Sequence, residues 1–432
     1  MKNKQSNNNV TILTLGCSKN LVDSEELNGI LTKNNIKVTQ DLKKSDTVII
    51  NTCGFIKPAK EESIQLIMEA REMKNQGLLN KIIVMGCLSE RYKDALEEQI
   101  PEVDRFFGLN DYNSIVKFLK NDELKYVLPS ERLTFTPRHY AYLKISEGCN
   151  HTCSFCAIPH IRGRHISKSI ESILEEAHYL VEKGVKEINL IAQDSTYYGV
   201  DLYGSRKITE LLDKISNIKG LEWIRLHYAY PTGYPEELLD VINSKPNICK
   251  YVDIPLQHIS DKMLKSMRRG ISSGRIRKLI DTIRNKIDNV AFRTTFIVGY
   301  PNESEEDFNL LYDFIEEQKF ERVGVFTYSH EEDTHAYKLE DNIPENVKVQ
   351  RRNLLMELQQ KISLNYNKSK IGKTLKVIID GKNKGTYIGR TEHDSPDVDN
   401  NVIVFSEKPL RIGHFYDVHI EKAKEYDLIG RV

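Results

Sequence analysis

The chain has 432 residues, of which 40% are hydrophobic and 29% are charged, and its formal net charge is +0. This balance is that of an ordinary globular protein and excludes a disordered chain or a membrane protein. At roughly 150 residues per domain, the length leaves room for about three domains. No overall charge draws the molecule to nucleic acid or anionic lipid, so nucleic-acid binding is not expected as its main interaction.

The N-terminus and the cysteine count point to a compartment. Met1–Asn9 is polar with no apolar core after it, and no stretch of about eighteen unbroken apolar residues follows, so we expect a cytoplasmic protein without membrane contact. In a reducing compartment an odd number of cysteines, seven in this chain, favours metal binding over disulfides. Cys249 stands apart from the others, and we interpret it as a buried structural residue.

The first part of the chain predicts an α/β domain over residues 10–125 with a parallel sheet, because strand-like runs alternate with helix-like stretches. The runs are Thr11–Leu15, Val48–Ile50 and Ile82–Met85, and the stretches are Asp23–Thr32, Ala59–Lys74 and Glu90–Gln99. A cysteine closes each run: Cys17, Cys53 and Cys87. The carboxyl ends of parallel strands share one sheet edge, so we expect these three thiols, the N-terminal triplet, to converge. The polar segment Asn121–Arg138 is interpreted as a linker.

A second alternation predicts an open (β/α)6 barrel over residues 135–368, closed by a helix at about Glu345–Lys368. The expected strands are Ala141–Ser146, Glu187–Ala192, Trp223–Leu226, Tyr251–Ile254, Phe292–Val298 and Arg322–Thr327. From residue 371 to 432 short strands alternate with glycine and asparagine turns, as in Thr374–Ile379 and Val402–Phe405. This part predicts a small β-barrel.

Three further cysteines, Cys149, Cys153 and Cys156, lie in the loop after the first barrel strand, where barrel active sites are found. Three thiolates hold a four-iron cluster and leave one iron open for a small molecule. A structural zinc site completed by His151 or His160 is the alternative. Structural zinc usually sustains small domains, whereas this loop opens a large one.

The spacing of this loop triplet resembles that of the radical S-adenosylmethionine (SAM) superfamily. The resemblance implies that SAM chelates the open iron and releases a deoxyadenosyl radical, so that the cofactor, and no side chain, carries the catalysis. It also implies cofactor-holding elements at the ends of the second and fifth strands. Candidate cofactor contacts there are Gln193, Asp194, Gly299 and Pro301, and the glycine would let the backbone approach the adenosine.

The N-terminal triplet extends the resemblance. Gly16–Asn20, Asn51–Ile56 and Gly86–Arg91 are similar to the N-terminal domain of methylthiotransferases. That family implies a second 4Fe-4S cluster on Cys17, Cys53 and Cys87 that carries the sulfur to be transferred, and an electron-donor protein that reloads both clusters. By themselves, three cysteines at strand ends would more often be core residues.

Two branches of the family differ in substrate. Lys19-Asn20, Cys53–Ile56 and Ala59–Ser63 resemble the branch that modifies an aspartate of ribosomal protein S-twelve. Residues 371–432 resemble a TRAM domain, but ten Lys plus Arg are balanced by ten Asp plus Glu, whereas an RNA anchor needs a basic excess. The acidic turn Asp394–Asp399 would suit a basic ribosomal protein; a merely solvated turn is the alternative.

We therefore predict a methylthiotransferase that modifies the β-carbon of an aspartate of ribosomal protein S-twelve, free or on the small ribosomal subunit, with two 4Fe-4S clusters and SAM. The alternatives are a transfer RNA adenosine methylthiotransferase and a non-catalytic, zinc-supported protein that binds RNA or the ribosome. The role of the basic residues after the loop triplet is left open between cofactor or substrate binding and a solvated loop. These residues are Arg162, Arg164, His165 and Lys168. His227 and His258 are interpreted as packing or supporting residues.

Overall fold

A computed structural model describes residues 9–120 and 131–432. These residues form two compact units. The N-terminal unit contains the chain up to Phe135 with residues 147–150 and 157–165, and the C-terminal unit contains residues 136–146, 151–156 and 166–432. Residues 1–8 of the predicted polar stretch and residues 121–130 of the predicted linker lie outside the described residues. Within the described ranges, no helix combines the length and the apolar character needed to cross a bilayer.

The N-terminal unit is built on a five-stranded parallel sheet with the order β2-β1-β3-β4-β5. The strands are β1 (Asn9–Thr14), β2 (Lys37–Val38), β3 (Thr47–Thr52), β4 (Lys81–Gly86) and β5 (Arg105–Phe106). The helices are α1 (Ser18–Lys33), α2 (Lys57–Asn75), α3 (Cys87–Gln99) and α4 (Tyr112–Lys120). This confirms the predicted parallel α/β architecture.

Strand β3 is buried along its whole length, as expected for a central strand that helices cover on both faces. The chain order reverses between β1 and β3, which lie side by side although β2 intervenes in the sequence. In open α/β sheets, ligands bind beyond the strand carboxyl ends at such a reversal. Cys17 follows β1 and Cys53 follows β3, so two of the three predicted thiols lie at this point.

The larger unit begins with six parallel strands in two sheets of three, ordered β10-β9-β6 and β11-β12-β13. These strands are β6 (Tyr140–Lys144), β9 (Glu187–Ile191), β10 (Trp223–Leu226), β11 (Tyr251–Asp253), β12 (Ala291–Val298) and β13 (Arg322–Thr327). The short strands β7 (Ser146–Glu147) and β8 (Ile166–Ser167) and the helix α5 (Ile158–Ile161) follow β6. The N–H of Cys249 donates to the carbonyl of Ile224 at 2.9 Å and joins the two sheets.

Helices cover the outside of these sheets. They are α6 (Ile170–Glu182), α7 (Val200–Tyr203), α8 (Ile208–Ser216), α9 (Glu236–Ser244), α10 (Asp261–Ser266), α11 (Ser273–Lys286), α12 (Glu305–Gln318) and α13 (Glu345–Lys368). Their apolar faces and the outer faces of the strands form one continuous core. Since β6 and β13 each have one strand neighbour, the barrel is open, as the six βα repeats predict.

The chain ends in a closed five-stranded barrel with the order β14-β15-β16-β18-β17. Its strands are β14 (Thr374–Asn383), β15 (Thr386–Arg390), β16 (Val402–Phe405), β17 (Phe415–Ala423) and β18 (Leu428–Arg431). Alternate residues point inward and form a small core of their own. The predicted C-terminal β-barrel is therefore confirmed.

The acidic turn Asp394–Asp399 packs against the N-terminal ends of the open-barrel strands. Arg322, the first residue of β13, donates its Nε–H to Asp394 at 3.2 Å. Tyr251, the first residue of β11, donates its hydroxyl to Asp399 at 2.7 Å. Asp394 is only 3% exposed. The turn forms the floor of the open barrel.

Further contacts complete this floor. The Ser395 hydroxyl lies 3.0 Å from His227 Nε2, and the Tyr142 hydroxyl donates to the Pro396 carbonyl at 3.3 Å. The expectation that the acidic turn faces a basic ribosomal protein is therefore wrong for its first and last carboxylates. Side chains of the open barrel, distant in sequence, already bind them.

Candidate metal centres

The three cysteines of the N-terminal triplet follow three neighbouring parallel strands, β1, β3 and β4. Cys17 caps the N-terminus of α1, Cys53 comes directly after β3, and Cys87 is the first residue of α3. Cys53 and Cys87 are buried, whereas Cys17 is exposed. Asn20 contacts Sγ of Cys87 at 3.5 Å and also bonds to the carbonyls of Leu15, before Cys17, and Thr52, before Cys53, so the three cysteines lie in one neighbourhood. The predicted convergence is confirmed.

Glycines allow these loops to approach each other. Gly16 has φ +89°, and a Cβ on it would lie 2.8 Å from Cβ of Cys53. Gly86 has φ +99°, and there is no space for a side chain here either, because a Cβ added to it would lie 2.2 Å from Oδ1 of Asn51. Only glycine adopts such backbone angles without strain and fits these gaps. The close packing of the strand ends explains the glycines beside Cys17 and Cys87.

Two polar side chains fix the cysteine loops. Ser63 receives the N–H of Cys53 at 3.0 Å and donates its hydroxyl to the Cys53 carbonyl at 3.1 Å. Asn20, which is fully buried, donates Nδ2–H to the carbonyls of Leu15 and Thr52 at 2.9 and 3.0 Å. Both residues lie in motifs that carry the family resemblance, but the sequence predicted no role for either of them. Their partners are backbone groups, and the bond from Asn20 to Thr52 spans 32 positions of sequence, which no local pattern predicts.

The buried thiols of this triplet retain their protons in the free protein. Burial raises the pKa of Cys87 to about 12, against the opposing influence of the Arg162 guanidinium. Burial likewise raises the pKa of Cys53. Metal binding has to displace these protons, since the thiolate is the ligand.

The basic residues after the loop triplet do not act as one cationic surface. Arg162 is buried, and its Nη2–H donates to Asp23 at 2.9 Å while Nη1–H donates to Glu147 at 3.0 Å. Lys168 pairs with Glu176 at 3.1 Å. These contacts contradict a solvated loop for Arg162 and Lys168, because burial of a charge requires such partners.

The residues of the loop triplet have intermediate exposure. The N–H of Cys149 donates to the carbonyl of Gly163 at 3.1 Å. Ser154, between the second and third cysteines, donates its N–H to the Met267 carbonyl at 3.0 Å. Phe155 packs against a buried group that includes Tyr300. Backbone bonds and this aromatic contact anchor the loop.

His151, inside the loop triplet, is held by the protein. Its Nε2 lies 2.6 Å from Oδ2 of Asp194, and its ring stacks on Tyr230 with 3.6 Å between centroids. Burial opposes ionisation of Asp194, but bonds from His151 and Thr196 outweigh it and keep the pKa of this carboxyl below its usual value. Asp194, predicted as a cofactor contact, therefore orients the cysteine loop through His151.

Arg269 and Tyr230 reach the second cysteine of the loop triplet. Nη1 of Arg269 lies 3.1 Å from Sγ of Cys153, and the Tyr230 hydroxyl lies 3.6 Å from the same sulfur. The Arg269 guanidinium also lies over the Tyr230 ring, 4.4 Å from its centroid. Sequence reasoning missed both residues. Arg269 follows a helix and Tyr230 lies in a loop, and neither belongs to a sequence motif with a recognisable spacing.

The remaining predicted cofactor contacts lie near strand ends. Gln193 is half-buried and precedes Asp194, and Pro301 is buried after β12. Gly299 has φ +72°, and a Cβ on it would lie 2.2 Å from Cγ of Lys348 on α13. Packing against Lys348 therefore requires a glycine at this position, and the approach of this backbone to adenosine stays a prediction.

The other singled-out residues have structural partners. His227 Nδ1 lies 3.2 Å from Asp253, and His258 Nε2 lies 3.1 Å from Glu303. Both histidines are buried, which confirms their supporting role. Cys249 is 2% exposed and packs in an apolar group. It behaves as the structural residue that was predicted.

The donor chemistry of both triplets fits iron-sulfur clusters. Each offers three thiols and one nearby guanidinium, Arg162 or Arg269, which suits thiolate ligands with an overall negative charge. In the described ranges, no three His, Cys, Asp or Glu side chains are spaced to chelate a single metal ion. His151, one of the two histidines that could complete a zinc site, has its Nε2 at 2.6 Å from Asp194.

Comparison with known proteins agrees with this arrangement. Residues 143–315 match the model of the radical SAM superfamily, residues 371–432 match the TRAM domain, and residues 9–108 match the uncharacterized protein family UPF0004. The open barrel and its cysteine loop thus define a protein of the radical SAM class. The chain belongs to the RimO family of methylthiotransferases, which confirms the resemblance noted from the motifs.

The relatives cover almost the whole chain. It is 52% identical over 426 residues to "Ribosomal protein uS12 methylthiotransferase RimO" of Cytophaga hutchinsonii, covering 98% of this chain and 97% of the relative. The proteins of the same name from Bacteroides thetaiotaomicron and Chloroherpeton thalassium are 50% and 48% identical. They cover 98% and 97% of this chain and 98% and 97% of their own length, respectively.

Solved structures share the fold at low identity. The radical SAM methyltransferase TsrM from Kitasatospora setae superposes with a TM-score of 0.55 at 13% identity, covering 90% of this chain and 82% of its own. The cobalamin-dependent SAM radical enzyme OxsB gives a TM-score of 0.51 at 16% identity, covering 81% and 56%. These likenesses support the fold alone.

Proposed function

We propose that this chain transfers a methylthio group to the β-carbon of an aspartate of ribosomal protein uS12. Full-length relatives at about half identity that bear this name are the observation that carries the proposal. The two cysteine triplets supply the donor sets that the reaction needs. The free protein or the small ribosomal subunit serves as substrate.

Two 4Fe-4S clusters and SAM are the cofactors. When bound, one cluster would supply the electron for reductive cleavage of SAM and the other would supply the sulfur to be methylated and transferred. We assign Cys149, Cys153 and Cys156 to the first cluster, and Cys17, Cys53 and Cys87 to the second. The chain's own residues bind, orient and shield these groups.

The surroundings of each triplet support this assignment. Asp194 holds His151 and with it the loop triplet, while Arg269 places a positive charge 3.1 Å from Cys153. Such a donor offsets the negative charge of a thiolate. Gln193, Asp194, Gly299 and Pro301 remain the proposed cofactor contacts, and Asp194 in addition bonds to His151 of the loop triplet.

The rest of the proposal concerns organisation and partners. We assign the sulfur-carrying cluster to residues 10–125 and SAM cleavage to residues 135–368, while residues 371–432 form the TRAM β-barrel. The absence of a net positive charge on the last segment favours a protein substrate over RNA. An electron-donor protein in the cytoplasm completes the cycle.

The intact mass of uS12 tests the proposal. The chain is purified and reconstituted without oxygen, then incubated with SAM, a chemical reductant and uS12. We expect the uS12 mass to rise by one methylthio group in place of one hydrogen, located on an aspartate by fragmentation. An unchanged uS12 together with methylthio-adenosine in transfer RNA would assign the chain to the other branch.

Iron and sulfide analysis tests the ligands. Cys87→Ala is expected to lose about half of the iron and acid-labile sulfide, because one of two clusters loses a ligand. Cys249→Ala is the matched control, since Cys249 is a buried cysteine with an apolar environment and no proposed metal. Zinc without sulfide in the wild-type protein would refute the cluster assignment.

A further inference from the structure

The side chain of Asn20 contacts the loops of all three cysteines of the N-terminal triplet. Its Nδ2–H donates to the Leu15 carbonyl, in the loop to the first cysteine, and to the Thr52 carbonyl, next to the second. Its Oδ1 lies 3.5 Å from Sγ of the third, Cys87. One buried amide thus connects the three positions where thiolates are needed.

Arg162 determines how this amide is oriented. Its Nη2–H donates to Oδ1 of Asn20 at 2.6 Å, which leaves the Nδ2 donors facing the two carbonyls. The same guanidinium binds Asp23 at 2.9 Å and both carboxylate oxygens of Glu147 at 3.0 Å. The Arg162 side chain is only 2% exposed. It is a fixed, buried cation.

The same residue reaches the segment of the loop triplet that belongs to the N-terminal unit. Glu147, bound by Arg162, lies two residues before Cys149. The neighbouring carbonyl of Gly163 receives the N–H of Cys149 at 3.1 Å. The short segment 162–163 is thus bonded on one side to the backbone around Cys149 and on the other to Asn20.

We propose that Asn20 and Arg162 form a positioning pair for the iron-sulfur cluster of the N-terminal triplet. Asn20 sets the mutual positions of the three cysteine loops, and Arg162 holds the amide and raises the reduction potential of the cluster. The inference rests on the proposed function, because it requires this triplet to hold a cluster.

The direction in which Arg162 shifts the reduction potential of the cluster follows from its charge. Three thiolates give the cluster a net negative charge, and reduction adds another negative charge, so a nearby buried cation favours the reduced state. Arg162 also neutralises Asp23 and Glu147. Replacing it by a neutral residue would remove a positive charge that bonds to both of these carboxylates and would make reduction harder.

The experiment isolates the N-terminal cluster in the full chain. Cys149, Cys153 and Cys156 are replaced by alanine, so that the remaining cluster gives the only iron-sulfur signal. Its midpoint potential is measured by an anaerobic redox titration followed by electron paramagnetic resonance. We expect Arg162→Gln to shift the potential to a more negative value, and Arg162→Lys, which keeps the charge, to recover most of that shift.

Arg132→Gln is the matched control. Arg132 is another buried arginine of this unit, and its partner is the carboxylate of Glu25 rather than Asn20. Both glutamine variants lose a buried ion pair and have a comparable effect on folding. Only the Arg162 variant is expected to shift the cluster potential.

Asn20→Asp keeps the test decisive if Arg162→Gln fails to fold. It retains an oxygen acceptor for Arg162 but places a negative charge beside Cys87 and removes the two amide donors. We expect a more negative potential and lower cluster occupancy. A potential equal to that of the background protein in Asn20→Asp or in a folded Arg162→Gln would overturn the positioning role. If the background protein holds no more iron than the same protein with Cys87→Ala, the proposed function itself fails.

Discussion

Arg390 of the C-terminal barrel and Glu187 of the open barrel form a buried, two-bond ion pair. Nη2 lies 2.7 Å from Oε2 and Nη1 lies 3.1 Å from Oε1, and the two side chains are 3% and 0% exposed. Arg225 also donates to Glu187 at 3.3 Å. The pair fastens β15 to the first residue of β9. This contact is therefore expected to couple the stability of the two barrels.

We expect Arg390→Ala to destabilise the C-terminal unit by about 3–5 kcal/mol, because Glu187 would stay buried beside a lost partner. Trp223 is the one tryptophan of the chain, and its ring lies 4.8 Å from Phe415 of β17. Denaturant unfolding followed by its fluorescence measures the change.

Arg431→Ala is the control for this prediction. Arg431 pairs with Glu421 at 3.4 Å on the surface, where the side chains are 52% and 40% exposed. Such a pair contributes at most about 1 kcal/mol. Equal effects of the two substitutions would show that burial of the Arg390 pair has no special weight.

Asp394, in the floor of the open barrel, makes the folding stability depend on pH. Burial disfavours the charged form of Asp394, but Arg322 and the Thr391 hydroxyl outweigh it and hold the pKa of this carboxyl below its ordinary value. The unfolded chain then binds this proton at higher pH than the folded chain does. The stabilisation is complete above the unfolded pKa of about 3.9 and is lost as the pH falls through the folded value.

Asp394→Asn should therefore lower stability at neutral pH and weaken the further loss between about pH 5 and pH 3. The fluorescence of Trp223 during unfolding at each pH measures both effects. Asp417→Asn, at an exposed position of β17, serves as the control. An unchanged pH profile in the Asp394 variant would remove this residue from the acid response.

Gly299→Ala separates packing from cofactor binding. The added Cβ meets Lys348 at 2.2 Å, and φ of +72° disfavours alanine, so we expect a loss of stability of about 1–3 kcal/mol. Combining it with Lys348→Ala should recover the steric part. Thermal unfolding and SAM binding by calorimetry are measured together. Weaker SAM binding at unchanged stability would instead restore the adenosine contact predicted from the sequence.

The two triplets should have different kinetic signatures. Cys153→Ala is expected to abolish release of deoxyadenosine, because the cluster that cleaves SAM loses a ligand. Cys53→Ala should still release it but add no sulfur to uS12. Chromatography of quenched anaerobic reactions measures deoxyadenosine, and intact mass measures uS12. Methylthiolated uS12 from the Cys53 variant would refute the sulfur-carrying role.

The architecture was predictable because alternation of strand-like and helix-like stretches is a local signal. All six strands of the open barrel begin within one residue of the expected position. The convergence of Cys17, Cys53 and Cys87 follows from the same rule, since parallel strands place their carboxyl ends at one edge. Regular periodicity and one topological rule suffice for these features.

The partners of charged residues were not predictable in the same way. Asp394 binds Arg322 across 72 positions of sequence, and Asn20 binds Arg162 across 142. Such contacts depend on which ends of the elements meet in space, and a single sequence contains no record of that. The first and last carboxylates of the acidic turn were misassigned for this reason, because Asp394 and Asp399 pair with arginines of the same chain.

The turn Asp394–Asp399 covers the N-terminal ends of the open-barrel strands. The last sixty or so residues therefore contribute to the structure of the open barrel as well as forming a barrel of their own. A chain cut after α13 would expose the N-terminal ends of the open-barrel strands and would remove Asp394 from Arg322 and Arg390 from Glu187. The C-terminal barrel is therefore an integral part of the larger unit. Exchanging it between homologues requires exchanging the residues at the N-terminal ends of the open-barrel strands that bind it.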